Sequence, residues 1–98
     1  DSNEKWRDPN LSLSTLSELL ESNRTYVGEA FKRNTGMTFV KYLTKRRIDY
    51  VTARLEEVGD ADIHELFNYV GYRQRSTALR NFPKVTGVTP AEFIDKVK

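Results

Sequence analysis

TFVKYLTKRRIDYVTARLEEV, residues 38–58, is the stretch around which the rest of the 98-residue chain is arranged. It holds no Gly or Pro, and Phe39, Tyr42, Leu43, Ile48, Val51, Leu55 and Val58 recur mostly three and four apart, the period of one helical face. Gly36 precedes it and Gly59-Asp60 follows it, so both ends carry stop signals. At 1.5 Å per residue such a helix is roughly 30 Å long. That is close to the ~34 Å separating successive major-groove segments on one side of DNA. On either side lies a short helix, a turn, a second helix and a Gly, so the stretch reads as a rod between two similar units.

Ninety-eight residues make one domain, or two very small ones sharing a core. With 38% hydrophobic and 31% charged residues the composition is that of a globular chain, and no apolar run is long enough to span a membrane. The opening DSNEKWRDPN is polar and charged, unlike a secretory leader. The absence of cysteine excludes disulfides and thiol chemistry and fits a reducing compartment; a cytoplasmic location is expected. His64 is the sole imidazole, so neither a His-based triad nor a multi-His metal site can be built. No enzyme and no cofactor is expected, since no metal cluster, thiol or phosphate loop is available.

The net charge of +2 hides an uneven distribution. Residues 1–22 carry two basic and five acidic groups, whereas 23–47 carry seven basic and one acidic. Residues 48–72 reverse this with one basic and six acidic; 73–84 hold Arg73, Arg75, Arg80 and Lys84 and no acid; 85–98 balance. Two basic blocks separated by an acidic one point to two patches for a polyanion.

In chain order, residues 1–10 read as a remnant or linker in which Trp6 plugs the core edge and Asp8-Pro9-Asn10 turns. A first helix-turn-helix unit is expected over 11–37. Ser12 or Ser14 caps a helix with Leu13, Leu16, Leu19 and Leu20 as its apolar stripe, and Asn23 caps another from Arg24 to about Asn34. The linking helix covers 38–58 and a second unit 60–95. In that unit Asp62 caps a helix with Ile63, Leu66, Phe67 and Val70 inward. Gly71-Tyr72 turns, and a further helix runs from about Gln74 to Phe82, ended by Pro83. Leu13, Leu16 and Leu20 match Ile63, Leu66 and Val70 at an offset of 50; Phe31, Gly36 and Thr38 match Phe82, Gly87 and Thr89 at 51. Thr89-Pro90 opens a last short helix with Phe93 and Val97 as its apolar contacts. The chain is therefore an all-α internal repeat of helix-turn-helix units.

In such a unit the first helix braces, and the second exposes one face to the major groove. The outward positions of the two second helices are Arg24, Thr25, Gly28, Glu29, Lys32 and Arg33, and Arg73, Arg75, Ser76, Thr77, Leu79, Arg80 and Lys84. Arg suits bidentate contact with guanine, Thr offers a methyl to thymine, and Lys serves phosphate. Solvated bundle faces are the bland reading. Two basic helices at matched positions, with acids segregated elsewhere, favour double-stranded DNA.

The pattern LSLSTLSELLESNRTYVGEAFKRNTGMTFVKYLTKRRI…DIHELFNYVGYRQRSTALRNFPKVTGVTPAEF resembles the DNA-binding domain of AraC/XylS-type bacterial transcription regulators over about residues 9–94. VGYRQRST…F…TGVTP is its most specific part. The resemblance implies two helix-turn-helix subdomains, homeodomain-like pairs, joined by a long central helix and contacting two consecutive major-groove segments of promoter DNA. It also implies one more helix ahead of this region and a sensor or dimerisation part upstream. Carried over by position, Thr25, Gly28 and Glu29 would face bases with Lys32 near the backbone, and Arg80, Ser76 and Thr77 would face bases in the second unit. Gly28 offers no readout, Glu29 repels phosphate while able to accept from cytosine, and Pro83 replaces a common Lys. The resemblance further implies an inward Arg47 paired with a carboxylate. It implies, too, a size exchange in which Phe67 stands for a small residue of the bracing helix and Ala78 for a large one of the reading helix; the alternative leaves Ala78 over a shallow surface gap. His64 reads as a surface residue, and Tyr50 and Tyr69 as core rim.

The leading function is thus a sequence-specific DNA-binding output domain. The alternative is a degenerate helix-turn-helix module that contacts RNA polymerase or another regulator, and Gly28, Glu29 and Pro83 keep it open.

Overall fold

A computed structural model describes residues 5–97; residues 1–4 of the expected N-terminal remnant lie outside them. Each helix but one begins where a short polar side chain takes over a free amide of the first turn. Ser12 caps α1 (Leu13–Leu19): its Oγ accepts from the Thr15 amide at 3.2 Å, and Thr15 Oγ1 accepts from the Ser12 amide at 2.8 Å. Asn23 caps α2 (Arg24–Thr35) through the Tyr26 amide at 2.7 Å, and Thr38 caps α3 (Phe39–Glu57) through the Lys41 amide at 3.2 Å. Asp62 caps α4 (Ile63–Tyr69) by accepting from the His64 amide at 2.9 Å. Gln74, before α5 (Arg75–Thr86), makes no side-chain cap. Thr89 and Glu92 close a reciprocal pair at the start of α6 (Pro90–Val97), at 2.9 and 3.2 Å. A single 3-10 turn, Lys5–Arg7, precedes these six helices, and no strand occurs among the described residues.

The internal repeat extends to individual hydrogen bonds. Thr35 Oγ1 donates to the Phe31 carbonyl at 2.8 Å and accepts from the Met37 amide at 3.3 Å; Thr86 Oγ1 does the same with Phe82 and Val88 at 3.0 and 3.2 Å. Gly36 and Gly87 end α2 and α5 in the left-handed conformation, φ 78° and 81°. Phe31 meets Tyr42 edge-on at 5.1 Å, and Phe82 meets Phe93 at 5.7 Å. So α6 does for the second unit what the start of α3 does for the first.

Pro83 does not end α5, contrary to expectation: the helix continues to Thr86. Proline removes one donor, the partner of the Leu79 carbonyl. Leu79 is exposed, so water can serve that carbonyl. Beyond it the Gly87 amide closes onto the Pro83 carbonyl at 2.8 Å, and the helix survives the loss.

Packing differs between the units. Ile48, Val51 and Leu55 of α3 are buried with Ile63, Phe67, Val70, Ala78 and Phe82. In the first unit Leu13, Leu16 and Phe31 remain partly exposed, and Leu20 is 59% exposed where its counterpart Val70 is 0%. Ala78 is fully buried, which excludes the shallow surface gap, and shares its cluster with Phe67. The first unit holds Ser17 and Val27, both buried, at the matching positions, so small and large are exchanged between bracing and reading helices within this one chain.

Residues 5–11 are packed against the body. Trp6 is buried as expected, packing on Tyr50 with ring centroids 5.3 Å apart and the planes tilted by 48°. Arg47 is inward, but it meets no carboxylate among the described residues: Nε donates to the Trp6 carbonyl and Nη2 to the Asp8 carbonyl, both at 2.8 Å. A backbone that passes over α3 presents carbonyls at this depth, and the Asp8 side chain is occupied by the Asn10 amide at 2.8 Å. Burial pushes the Arg47 pKa down, opposed by Tyr72 and Asp8. Gly71, at φ 104°, is required here, because a Cβ would stand 2.5 Å from the Arg7 carbonyl oxygen. Tyr69 stacks on Tyr50 at 5.1 Å beneath the Arg7 guanidinium, at the core rim.

Candidate nucleic-acid interface

The exposed face of α2 carries Arg24, Thr25, Glu29, Lys32 and Arg33. Arg24, Thr25, Gly28, Glu29 and Lys32 line one hollow with Leu13, Thr38 and Phe39. Gly28 faces α1 in a way that spacing does not reveal: a Cβ there would come within 3.2 Å of Leu13 Cδ2, a tight approach that a small shift of the leucine side chain would have to relieve. Glu29 shares the hollow with Arg24 and Lys32 and lowers its positive charge.

On the second unit Arg75, Ser76, Leu79, Arg80 and Lys84 are exposed along α5, and Thr77 is half-buried. Arg73 stands before the helix and donates to Asn10 Oδ1 at 2.6 Å, so its guanidinium is already shared with the N-terminal segment. A furrow between the two units brings Arg24 of α2 together with Arg73, Gln74 and Thr77 at the start of α5. Val40 and Thr44 of α3 and Asn81 of α5 line it too. Arg33, Ser76, Leu79 and Arg80 lie outside both concavities.

The furrow continues into a second groove between α3 and α5, which shares Val40, Thr44 and Asn81 and adds Met37, Lys41, Lys45, Lys84 and Val85. Gln74, Asn81 and Lys41 line these concavities although the repeat spacing does not point to them. Lys41 lies in the basic block 23–47, and its place on the rod rather than on a reading helix is why the spacing of two helix-turn-helix units passes over it. His64 is exposed, as expected. Among the described residues no cluster of His, Asp or Glu could hold a metal ion, and no helix is long and apolar enough to cross a membrane.

A family profile described as "Helix-turn-helix domain" matches residues 16–96. The uncharacterized transcriptional regulatory protein YesN of Bacillus subtilis (strain 168) is 32% identical over 88 residues, 88% of this chain and 24% of YesN. The melibiose operon regulatory protein of Escherichia coli (strain K12) is 28% identical over 86 residues, 88% of this chain and 28% of that protein. The chain thus spans about a quarter of the length of the curated relatives it matches. Among solved structures, the C-terminal domain of AraT, a response regulator from Geobacillus stearothermophilus, superposes with a TM-score of 0.87 at 26% identity, covering 95% of this chain and 77% of that one. The C-terminal domain of the two-component response regulator yesN from Fusobacterium nucleatum gives 0.84 at 27% identity, covering 94% and 88%. The all-helical double unit, its basic furrow and these matches converge: the chain belongs to the AraC-type helix-turn-helix family, the DNA-binding domains of transcription regulators.

Proposed function

We propose that this domain reads a specific promoter sequence by placing α2 and α5 in successive major-groove segments of one DNA face, with α3 as the spacer. The observation that carries this reading is the furrow in which Arg24 and Thr77, from the two reading helices, open onto the same side of a 19-residue rod. At 1.5 Å per residue that rod is roughly 28 Å long, close to one helical repeat of DNA. In this reading Thr25, Glu29, Ser76, Thr77 and Arg80 face base edges, while Arg24, Lys32, Arg33, Arg75 and Lys84 serve phosphates. Gly28 and Leu79 contribute shape, and Arg73 contributes from the edge of the furrow. The division into units over 11–37, 38–58 and 60–95 follows the same logic. Such a domain acts in the cytoplasm, joined in the longer protein to a regulatory part.

Footprinting of the chain on selected DNA tests the reading: protection of two segments about one helical turn apart is expected. Protection of a single segment sinks the two-groove placement. A second reading, in which the domain docks on RNA polymerase or another regulator, is favoured by one observation. Leu20 and the α2 residue Tyr26 are exposed and line one hollow beside the α1–α2 turn, apolar surface that DNA has no use for. Polar substitution there that abolishes transcription while leaving DNA affinity intact would support it.

A further inference from the structure

The two units make their third-helix start differently, and the difference lies at one residue. In the second unit Thr89 caps α6, and Glu92, three residues on, returns a hydrogen bond to the Thr89 amide at 2.9 Å. That reciprocal pair satisfies two free amides at once. In the first unit Thr38 caps α3 in the same way, with its hydroxyl accepting from the Lys41 amide at 3.2 Å. The residue matching Glu92 is Lys41, which cannot return the bond, and α3 has no acid in its first turn. A cation at this position is disfavoured by the helix dipole as well. Local stability therefore argues for a carboxylate at position 41, and the chain carries an ammonium.

The place it occupies supplies the reason. Lys41 lines the groove between α3 and α5 with Lys84 on the other wall, and no acid lines that groove. Val40, Thr44 and Asn81 join it to the furrow that holds Arg24 and Thr77. Lys45, which also lines it, pairs with Asp49 at 2.6 Å, whereas no such carboxylate partner neutralises Lys41 or Lys84 among the described residues. Both are exposed.

We propose that Lys41 is a phosphate-contacting positioning residue of the linking helix, gripping the DNA backbone between the two major-groove segments with Lys84 opposite it. The proposal rests on the DNA reading above. It makes the rod a part of the interface, with a stability loss at its first turn accepted for the sake of binding.

The test measures the affinity of the chain for a random-sequence DNA duplex of about 30 base pairs as a function of salt, since a phosphate contact is indifferent to sequence. Lys41→Gln should reduce the slope of log affinity against log salt by about 1, and Lys41→Arg should preserve it. Lys41→Glu, which offers Thr38 the partner that Thr89 has in Glu92, should raise the melting temperature while weakening binding more than Lys41→Gln. Opposite signs for stability and affinity in one variant are what a merely structural lysine would not give. An unchanged slope in Lys41→Gln, with the parent chain binding in a salt-dependent way, overturns the clamp alone. A parent chain without salt-dependent binding overturns the DNA reading, and the clamp with it.

Discussion

Replacing Arg47 by Met should release residues 5–11 from the body of the protein, at a cost that can be worked from two hydrogen bonds. Arg47 is 7% exposed, and its guanidinium donates to the carbonyls of Trp6 and Asp8 at 2.8 Å each. A bond from a charged donor contributes about 1.5–3 kcal/mol. The Trp6 carbonyl stays buried when its donor goes, so its bond counts in full; Asp8 is exposed and rehydrates, so its bond counts for about half. Against this, Met fills the space of the aliphatic stem and removes the desolvation of a buried charge, an offset of about 1 kcal/mol. A net loss of about 1–3.5 kcal/mol follows. For a domain of this size each kcal/mol moves the melting temperature by about 4–8 °C, so the midpoint should fall by about 5–28 °C.

Circular dichroism reads the midpoint, and Trp6, the single tryptophan, reports on the segment directly through its emission. Its indole packs on Tyr50 in the native state, and release should shift the emission to the red at temperatures where the helices persist. Asp8→Asn separates the two possible partners: it keeps the main-chain acceptor and should change stability by less than about 0.5 kcal/mol. A loss of about 3–5 kcal/mol in that variant would mean a broken carboxylate pair. The reasoning fails if Arg47→Met lowers the midpoint by less than about 4 °C with tryptophan emission unchanged.

Four further outcomes are expected. Glu21 sits at φ 52° where the repeat has Gly71, so Glu21→Gly should leave stability unchanged or raise it by up to about 1 kcal/mol, and a clear loss by chemical denaturation would refute that strain. Phe67→Ala should cost about 3–5 kcal/mol and Ala78→Phe about 1–3, with the double variant recovering much of both; strictly additive losses would show that the pair is uncoupled. On selected DNA, Arg80→Ala should cost about 1–3 kcal/mol and relax preference at one base pair, whereas Lys32→Ala should weaken all sequences alike; equal effects on selected and random duplexes would reverse the assignment. The Thr89 amide, and then its hydroxyl, hold the Glu92 carboxylate below the ordinary glutamate value of 4.5, so its stabilising effect is present above that value and is lost as the pH falls through the lowered one. Glu92→Gln should flatten the acid limb of the stability curve there, and an unchanged limb would count against it.

What the sequence made legible was local. A cap needs only one side chain and an amide two or three residues ahead, so Asn23 and Asp62 could be placed from spacing alone. The same holds for Gly36, whose left-handed conformation belongs to the last helical turn, whereas Gly87 does this for α5 in place of the expected stop at Pro83. What stayed hidden depends on segments far apart in the chain. The partners of Arg47 lie some forty residues away, and whether they are carboxylates or carbonyls depends on how residues 5–11 cross α3. Gly28 looked like an empty reading position because the neighbour it admits, Leu13, is fifteen residues away on another helix. Propensity alone ends a helix at Pro83, yet one lost hydrogen bond is a small penalty where Ala78 and Phe82 are fully buried on the same helix.

The unequal packing of the two units bears on how recognition would be shared between them. The second half of α3 lends Ile48, Val51 and Leu55 to the second unit, whose Val70 and Phe82 are completely buried. The first unit has only the start of α3 to lean on, and Leu20 and Phe31 keep part of their surface in water. Few buried apolar neighbours mean a low free energy of local opening, so α1 and α2 form the looser end of the molecule. Side-chain chemistry runs the same way. The second reading helix has Arg80 and Lys84 and no acid on its exposed face, while the first has Gly28, which offers no side chain, and Glu29, opposed to phosphate. In the DNA reading, the rigid unit is therefore also the one with the stronger contacts, and it fixes the register. The looser unit is then confined by the rod to the neighbouring groove segment, where weak contacts suffice because its search is already restricted.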